Sequence, residues 1–165
     1  MFQVKDNYRK FSRLGRCMGH SSFVTHLDWS VDSQFIQSNS AENELMYWSA
    51  AVCRPVRDID ILRDIEWATA DCVVSWTSLG IWGETLESPD VVTASGSRNK
   101  ELLASGDNSG RVRLYSYPVT QPKSLCHTYT GHSSQVTKVT WMADNTRLLS
   151  VGGKDTAILQ WSLHG

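Results

Sequence analysis

The sequence predicts an all-β protein built from short antiparallel strands. Three observations lead there. Runs of strand length, rich in β-formers, recur along the chain; clusters of Gly, Asp, Asn and Ser separate them; and no stretch keeps a helical period.

Taken in order, residues 4–16 are read as the tail of an earlier blade, with strand character over 8–18. Residues 24–29 (V-T-H-L-D-W) and 136–141 (V-T-K-V-T-W) alternate, as a strand with one covered face does. Residues 102–105, 112–117, 148–151 and 157–163 have strand length and composition. Between them lie V-D-S-Q (31–34), S-G-D-N-S-G (105–110) and G-G-K-D (152–155), which suit tight turns. Pro55, Pro89, Pro118 and Pro122 are read as loop residues.

Composition bounds the function. Hydrophobic residues make up 41% of 165 residues, with seven Trp, enough apolar surface to build a core. Sixteen Lys and Arg against 17 Asp and Glu give a net charge of −1, which argues against nucleic acid as a partner. No apolar run approaches the length of a membrane span, and no signal peptide is expected, so the chain is placed in the cytoplasm with no membrane partner. Cys17, Cys53, Cys72 and Cys126 are scattered, without a C-x-x-C pair. Reduced thiols are expected, with neither a disulfide framework nor a zinc site. The five His lack the spacing of a metal helix, so no metal and no cofactor is expected.

The chain also repeats itself. Residues 19–29 (G-H-S-S-F-V-T-H-L-D-W) and 131–141 (G-H-S-S-Q-V-T-K-V-T-W) agree at seven of eleven positions. His20 precedes Trp48 by 28 residues, and His132 precedes Trp161 by 29. A Gly-His followed by Trp at this interval is the signature of the WD repeat, a four-stranded propeller blade. A middle unit without its Gly-His fits between, so first strands start at Val24, Val91 and Val136, with intervals of 67 and 45 residues. The predicted fold is a WD-repeat β-propeller arc of about three four-stranded blades, an incomplete ring. Residues 1–18 are the last strand or strands of a preceding blade. Residues 19–75 are a blade with its fourth strand at 65–75, and 76–90 an insertion. Residues 91–130 form a degenerate blade and 131–165 a final blade lacking its fourth strand.

In such blades a His before the first strand, an Asp in the turn after the second and a Trp ending the third form a structural hydrogen-bonded network. His132, Asp155 and Trp161 supply it in the last blade. His20 and Trp48 supply two members in the first, with Glu42 aligned to Asp155; the middle blade has Tyr115 in place of Trp and no His. Ser, His and Asp within one repeat also suit a hydrolase triad, but there is no G-x-S-x-G elbow, and the spacing already gives these residues a structural task. No catalytic residue is assigned. The Trp residues are read as core rather than ligand-stacking groups. Arg9, Lys10, Arg13 and Arg16, with Lys5 and Asp6, give +4 over 16 residues. That charge protects an outer strand or forms a contact for an acidic partner.

The order of R-K-F-S-R-L-G-R-C-M-G-H-S-S-F-V-T-H-L-D-W-S (9–30), I-E-W-A-T-A-D-C-V (65–73), G-I-W (80–82), L-L-A-S-G-D (102–107), V-R-L-Y-S-Y-P (112–118), G-H-S-S-Q-V-T-K-V (131–139) and G-G-K-D-T-A-I-L-Q-W (152–161) resembles the C-terminal part of the echinoderm microtubule-associated protein-like family. The sequence departs from that family's pattern after G-I-W. The resemblance implies a non-enzymatic propeller scaffold that binds tubulin and associates with microtubules, in the cytoplasm on the cytoskeleton. A WD-repeat adaptor in a ubiquitin-ligase or signalling complex is the alternative. Propellers close with four or more blades, so the chain is expected to be a fragment, a truncated product or the last arc of a longer protein. The family's basic N-terminal region and its coiled coil have no counterpart in these 165 residues.

Overall fold

The computed structural model describes residues 1–82 and 91–164, and the chain divides into two compact units, Met1–Ala68 and Thr69–Gly165. The all-β class is as predicted: all four described sheets are antiparallel.

In the first unit, β1 (Phe2–Lys5) and β2 (Lys10–Arg13) form a hairpin. Asp6, Asn7 and Tyr8 turn the chain with positive φ, and Lys10 Nζ pairs with the Asp6 carboxylate at 3.1 Å. The second sheet runs β3 (Val24–Trp29), β4 (Phe35–Ser40), β5 (Leu45–Ser49) and β6 (Arg54–Pro55) in simple order. A five-residue helix, α1 (Ile59–Arg63), follows; the Asp58 carboxylate caps it by accepting from the Asp60 N–H at 3.0 Å.

The fourth strand of this sheet is β6, and the expectation of a strand at 65–75 is corrected. Cys53, at φ 55°, donates its N–H to Ser49 O at 2.8 Å, so the chain reverses immediately after β5. Residues 65–68 make only a bridge between Trp67 and Ser30, with Val31 N–H donating to Glu66 O and Ala68 N–H to Trp29 O.

The second unit opens with a buried irregular stretch. Cys72, Val73, Val74, Ser78, Ile81 and Trp82 are buried. Its polar groups are satisfied internally: Trp82 Nε1–H donates to Val73 O at 2.7 Å, and Ser78 Oγ donates to the carbonyls of Cys72 and Val73. A short 3₁₀ turn, Leu79–Ile81, brings Gly80 N–H to Val119 O at 2.7 Å. The 76–90 insertion lies partly outside the described residues.

The first-strand start at Val91 holds. β7 (Val91–Gly96), β8 (Leu102–Asp107), β9 (Arg111–Ser116) and β10 (Cys126–Thr130) form a four-stranded sheet. β11 (Val136–Trp141), β12 (Arg147–Gly152) and β13 (Ile158–Ser162) form a three-stranded one. These three blade-like sheets, counted among the described residues, are fewer than a closed propeller needs.

All three first strands carry a register shift at the same place, Val24/His26, Val91/Thr93 and Val136/Lys138. This shared bulge aligns the middle sheet with the two Gly-His repeats, although it has no Gly-His of its own.

Within the second unit, β11 lies against β7 and β8. Val136 and Val139 are fully buried with Ala104, Val112 and Leu148. Val139 N–H donates to Thr93 Oγ1 at 3.3 Å, and Trp141 Nε1–H to Ser95 O at 3.0 Å.

Candidate functional site: blade networks and an exposed basic hairpin

Gly-His places an imidazole just before the first strand of the last sheet, and the turn between β12 and β13 places a carboxylate beside it. His132 Nδ1 lies 2.8 Å from Asp155 Oδ2, and His132 Nε2 lies 2.8 Å from Ser150 Oγ. Trp161 Nε1–H donates to the same hydroxyl at 2.8 Å. A carboxylate can only accept, so His132 Nδ1–H donates to Asp155, while the Ser150 hydroxyl, which accepts from Trp161, hydrogen-bonds His132 Nε2. Asp155 also accepts from the Ser133 and Ala157 N–H groups. Burial works to raise its pKa, but the His132 hydrogen bond and these backbone donors hold it below the usual carboxylate value.

The first blade repeats the arrangement. His20 Nε2 lies 2.7 Å from Ser38 Oγ, which accepts from Trp48 Nε1–H at 2.8 Å. The carboxylate is Glu44, 3.0 Å from His20 Nδ1, rather than the expected Glu42. Glu42 is exposed, in a tight turn whose next residue, Asn43, has φ 56°. Glu44 stands just before β5, and its longer side chain reaches back to His20, the Ser21 N–H and Ser40 Oγ. The Ser40 hydroxyl, the His20 ring and Ser21 lower its pKa from 4.5 to about 2.

Sequence reasoning missed three members of these networks: Glu44, Ser38 and Ser150. The two serines had a signal, since each lies near the end of the second strand, 10 or 11 residues before the Trp.

The middle sheet is stabilised differently. Ser105 occupies the same register position and is buried, and buried Tyr115 stands in place of Trp. Burial, and then the nearby Cys126, push the Tyr115 phenol up to about 12. The buried Asp107 carboxylate pairs with Arg113 at 2.8 Å and accepts from the Ser109 and Arg111 N–H groups.

These networks use their His, Ser and carboxylate groups to tie turns to strands. Of the Trp residues, Trp48 and Trp82 are buried, whereas Trp76 is 61% exposed. A groove of about 300 Å³ in the second unit is lined mainly by apolar side chains, among them Leu114, Trp141, Leu148 and Trp161.

Arg9, Lys10, Arg13 and Arg16 are all exposed, and the hairpin register puts Lys10 and Arg13 on opposite faces. Lys10 shares a face with Lys5, Gln3 and Ser12, while Arg13 lies on the opposite face with Phe2, Val4 and Phe11.

With this geometry in place, comparison with known proteins is decisive. Residues 1–163 match the family model described as the echinoderm microtubule-associated protein second beta-propeller. The chain belongs to this family. Within the echinoderm microtubule-associated proteins, it is 46% identical over 161 residues to the rat echinoderm microtubule-associated protein-like 1, covering 98% of this chain and 20% of that protein. It is 47% identical over 163 residues to the 77 kDa echinoderm microtubule-associated protein of Lytechinus variegatus, covering 99% of this chain and 24% of that protein. The chain thus spans about a fifth to a quarter of these relatives. Among solved structures, the computationally designed Ika8 protein superposes with a TM-score of 0.56 at 17% identity, over 98% of this chain and 57% of that one; this likeness concerns fold alone.

Proposed function

We propose that this chain is a non-catalytic WD-repeat scaffold that contributes to tubulin and microtubule binding as part of a longer polypeptide, on the cytoplasmic microtubule cytoskeleton. The observation that carries this reading is the family match over residues 1–163, whose relatives are named as microtubule-associated proteins. The engagement of His20, His132, Glu44 and Asp155 in blade networks supports it.

The net charge of −1 gives little general attraction to the acidic microtubule surface, so binding rests on assembled propeller surfaces. The exposed Arg9, Lys10, Arg13 and Arg16 are the local candidates for an acidic partner. Microtubule pelleting at physiological salt tests this, using the 165-residue chain and a version extended to the length of its relatives. The extended chain is expected to pellet and the short chain to pellet weakly or not at all. If the extended chain stays in the supernatant and soluble tubulin also fails to bind it, the reading falls, and the adaptor role is favoured.

A further inference from the structure

Within the first unit, the segment that joins β2 to β3 lies along β5 and its following turn, and it brings two cysteines together. Its contacts fix its course. Gly19 packs on the β5 side chains, where a Cβ would come 2.8 Å from Met46 Cε and 3.2 Å from Trp48 Cη2. Gly15 packs on Cys53, where a Cβ would come 2.8 Å from Cys53 Sγ and 2.9 Å from its Cβ. Cys17 stands between these two anchors in sequence, and its thiol reaches the Cys53 side chain within hydrogen-bonding range.

The turn after β5 holds the second thiol in place. Cys53 is buried at φ 55°, and its N–H donates to Ser49 O at 2.8 Å. Both cysteines are free thiols, and Cys17 is the less buried of the two. Burial, and then the neighbouring Cys53, hold the Cys17 thiol above its ordinary pKa. A first attack by Cys17 on an outside reagent is therefore slow at neutral pH, because the thiolate is the nucleophile. A second step between the two cysteines is intramolecular and gains from their proximity.

We propose that Cys17 and Cys53 form a reversible redox pair, oxidised to a disulfide by a small anionic disulfide of the glutathione type. Cys17 gives up its proton and attacks one sulfur of the small disulfide. A bond forms between Cys17 Sγ and that half, and the other half leaves as a thiolate that takes up the proton. Cys53 then loses its proton and attacks Cys17 Sγ, which joins the two cysteines and releases the second half as a thiol. The protein loses two electrons and two protons, and the small disulfide gains them to become two thiols. Arg16 adjoins Cys17 and Arg13 precedes it closely, so an anionic reagent is favoured. Under reducing conditions the pair rests as thiols. Oxidation fastens the segment carrying Arg16 to the turn between β5 and β6, and this step does not depend on the microtubule reading.

Oxidised glutathione added to the 165-residue protein, followed by alkylation of the remaining thiols, tests this. Trypsin with a glutamate-specific protease cuts between the two cysteines, after Glu42 and Glu44. Mass spectrometry should find the Cys17 and Cys53 peptides joined and two hydrogens lighter than the separate thiol peptides, and dithiothreitol should part them. The oxidised protein should show a higher thermal midpoint for the first unit, because closing the loop from 17 to 53 restricts the unfolded chain. Cys17→Ser should abolish the link and the shift, and Cys126→Ser should leave both intact. In Cys53→Ala, Cys17 should stop at the mixed disulfide with glutathione. The wild-type peptide map depends on no variant's folding. Recovery of Cys17 and Cys53 as alkylated thiols, or of Cys17 as a lasting mixed disulfide in the wild-type chain, overturns the proposal. So does a link from either cysteine to Cys72 or Cys126 in place of the other, or a linked chain whose thermal midpoint is not raised.

Discussion

Trp161 and Ser150 meet at 2.8 Å, and the hydroxyl that receives the indole proton faces His132 on its other side. One serine thus serves two ring nitrogens. Ser150→Ala leaves both without a partner and should destabilise the second unit by about 1–3 kcal/mol. Urea unfolding followed by Trp fluorescence measures this; a midpoint unchanged from wild type would show that Ser150 contributes nothing.

Glu44, and not Glu42, holds His20. Glu44→Gln should lower the thermal midpoint of the first unit and shift the His20 ring resonances. Glu42→Gln, on an exposed turn, should do neither. Two-dimensional NMR of the imidazoles with paired thermal melts decides between them.

Acid should loosen the first blade in a defined window. The Glu44 pKa lies below its unfolded value, so its stabilisation is complete above pH 4.5 and is lost as pH falls towards about 2. Stability measured across that range should decline, and the Glu44→Gln variant should show a shallower decline. Parallel curves for the two proteins would remove Glu44 as a source of acid sensitivity.

Gly80 packs its Cα against the Gln121 backbone and the Val119 side chain, and a Cβ there would collide with both. Gly80→Ala should cost about 1–3 kcal/mol, in the range of other overpacked sites. It should also release protection of the Gly80 and Val119 amides in hydrogen exchange. Unchanged exchange would mean that the 77–82 segment contributes little to this part of the fold.

Much of the fold was legible because its signals are local. Alternation, turn residues and the Gly-His…Trp interval located the first strand of each Gly-His repeat and the later strands of the last one, and strand-length runs at blade spacing located the first three strands of the middle sheet. Two features were not legible, for different reasons. The fourth strand of the first sheet is two residues long and contains proline, so it reads as loop, whereas 65–75 carries Ile, Trp and Val yet pairs only through the isolated Trp67–Ser30 bridge. Counting back from Trp48 led to Glu42, because residue spacing does not record that a longer side chain two positions later can reach the same imidazole. The hydroxyls of Ser38 and Ser150 were overlooked because serine is common in turns and strands alike, and only the register shows it facing a Trp and a His together.

The proline in β6 has a consequence for solubility. Pro55 lies opposite Trp48 on the outermost strand of its sheet and has no N–H to offer an incoming chain. Combined with a length of two residues, that makes this border a poor template for intermolecular strand addition. The outer strands β10 and β13, each five residues long and free of proline, have no such protection. When the protein is concentrated or partly unfolded, strand-by-strand aggregation should therefore start at these strands rather than at β6, and a single Pro or Lys placed in them should delay it, while the same change beside Pro55 should make little difference.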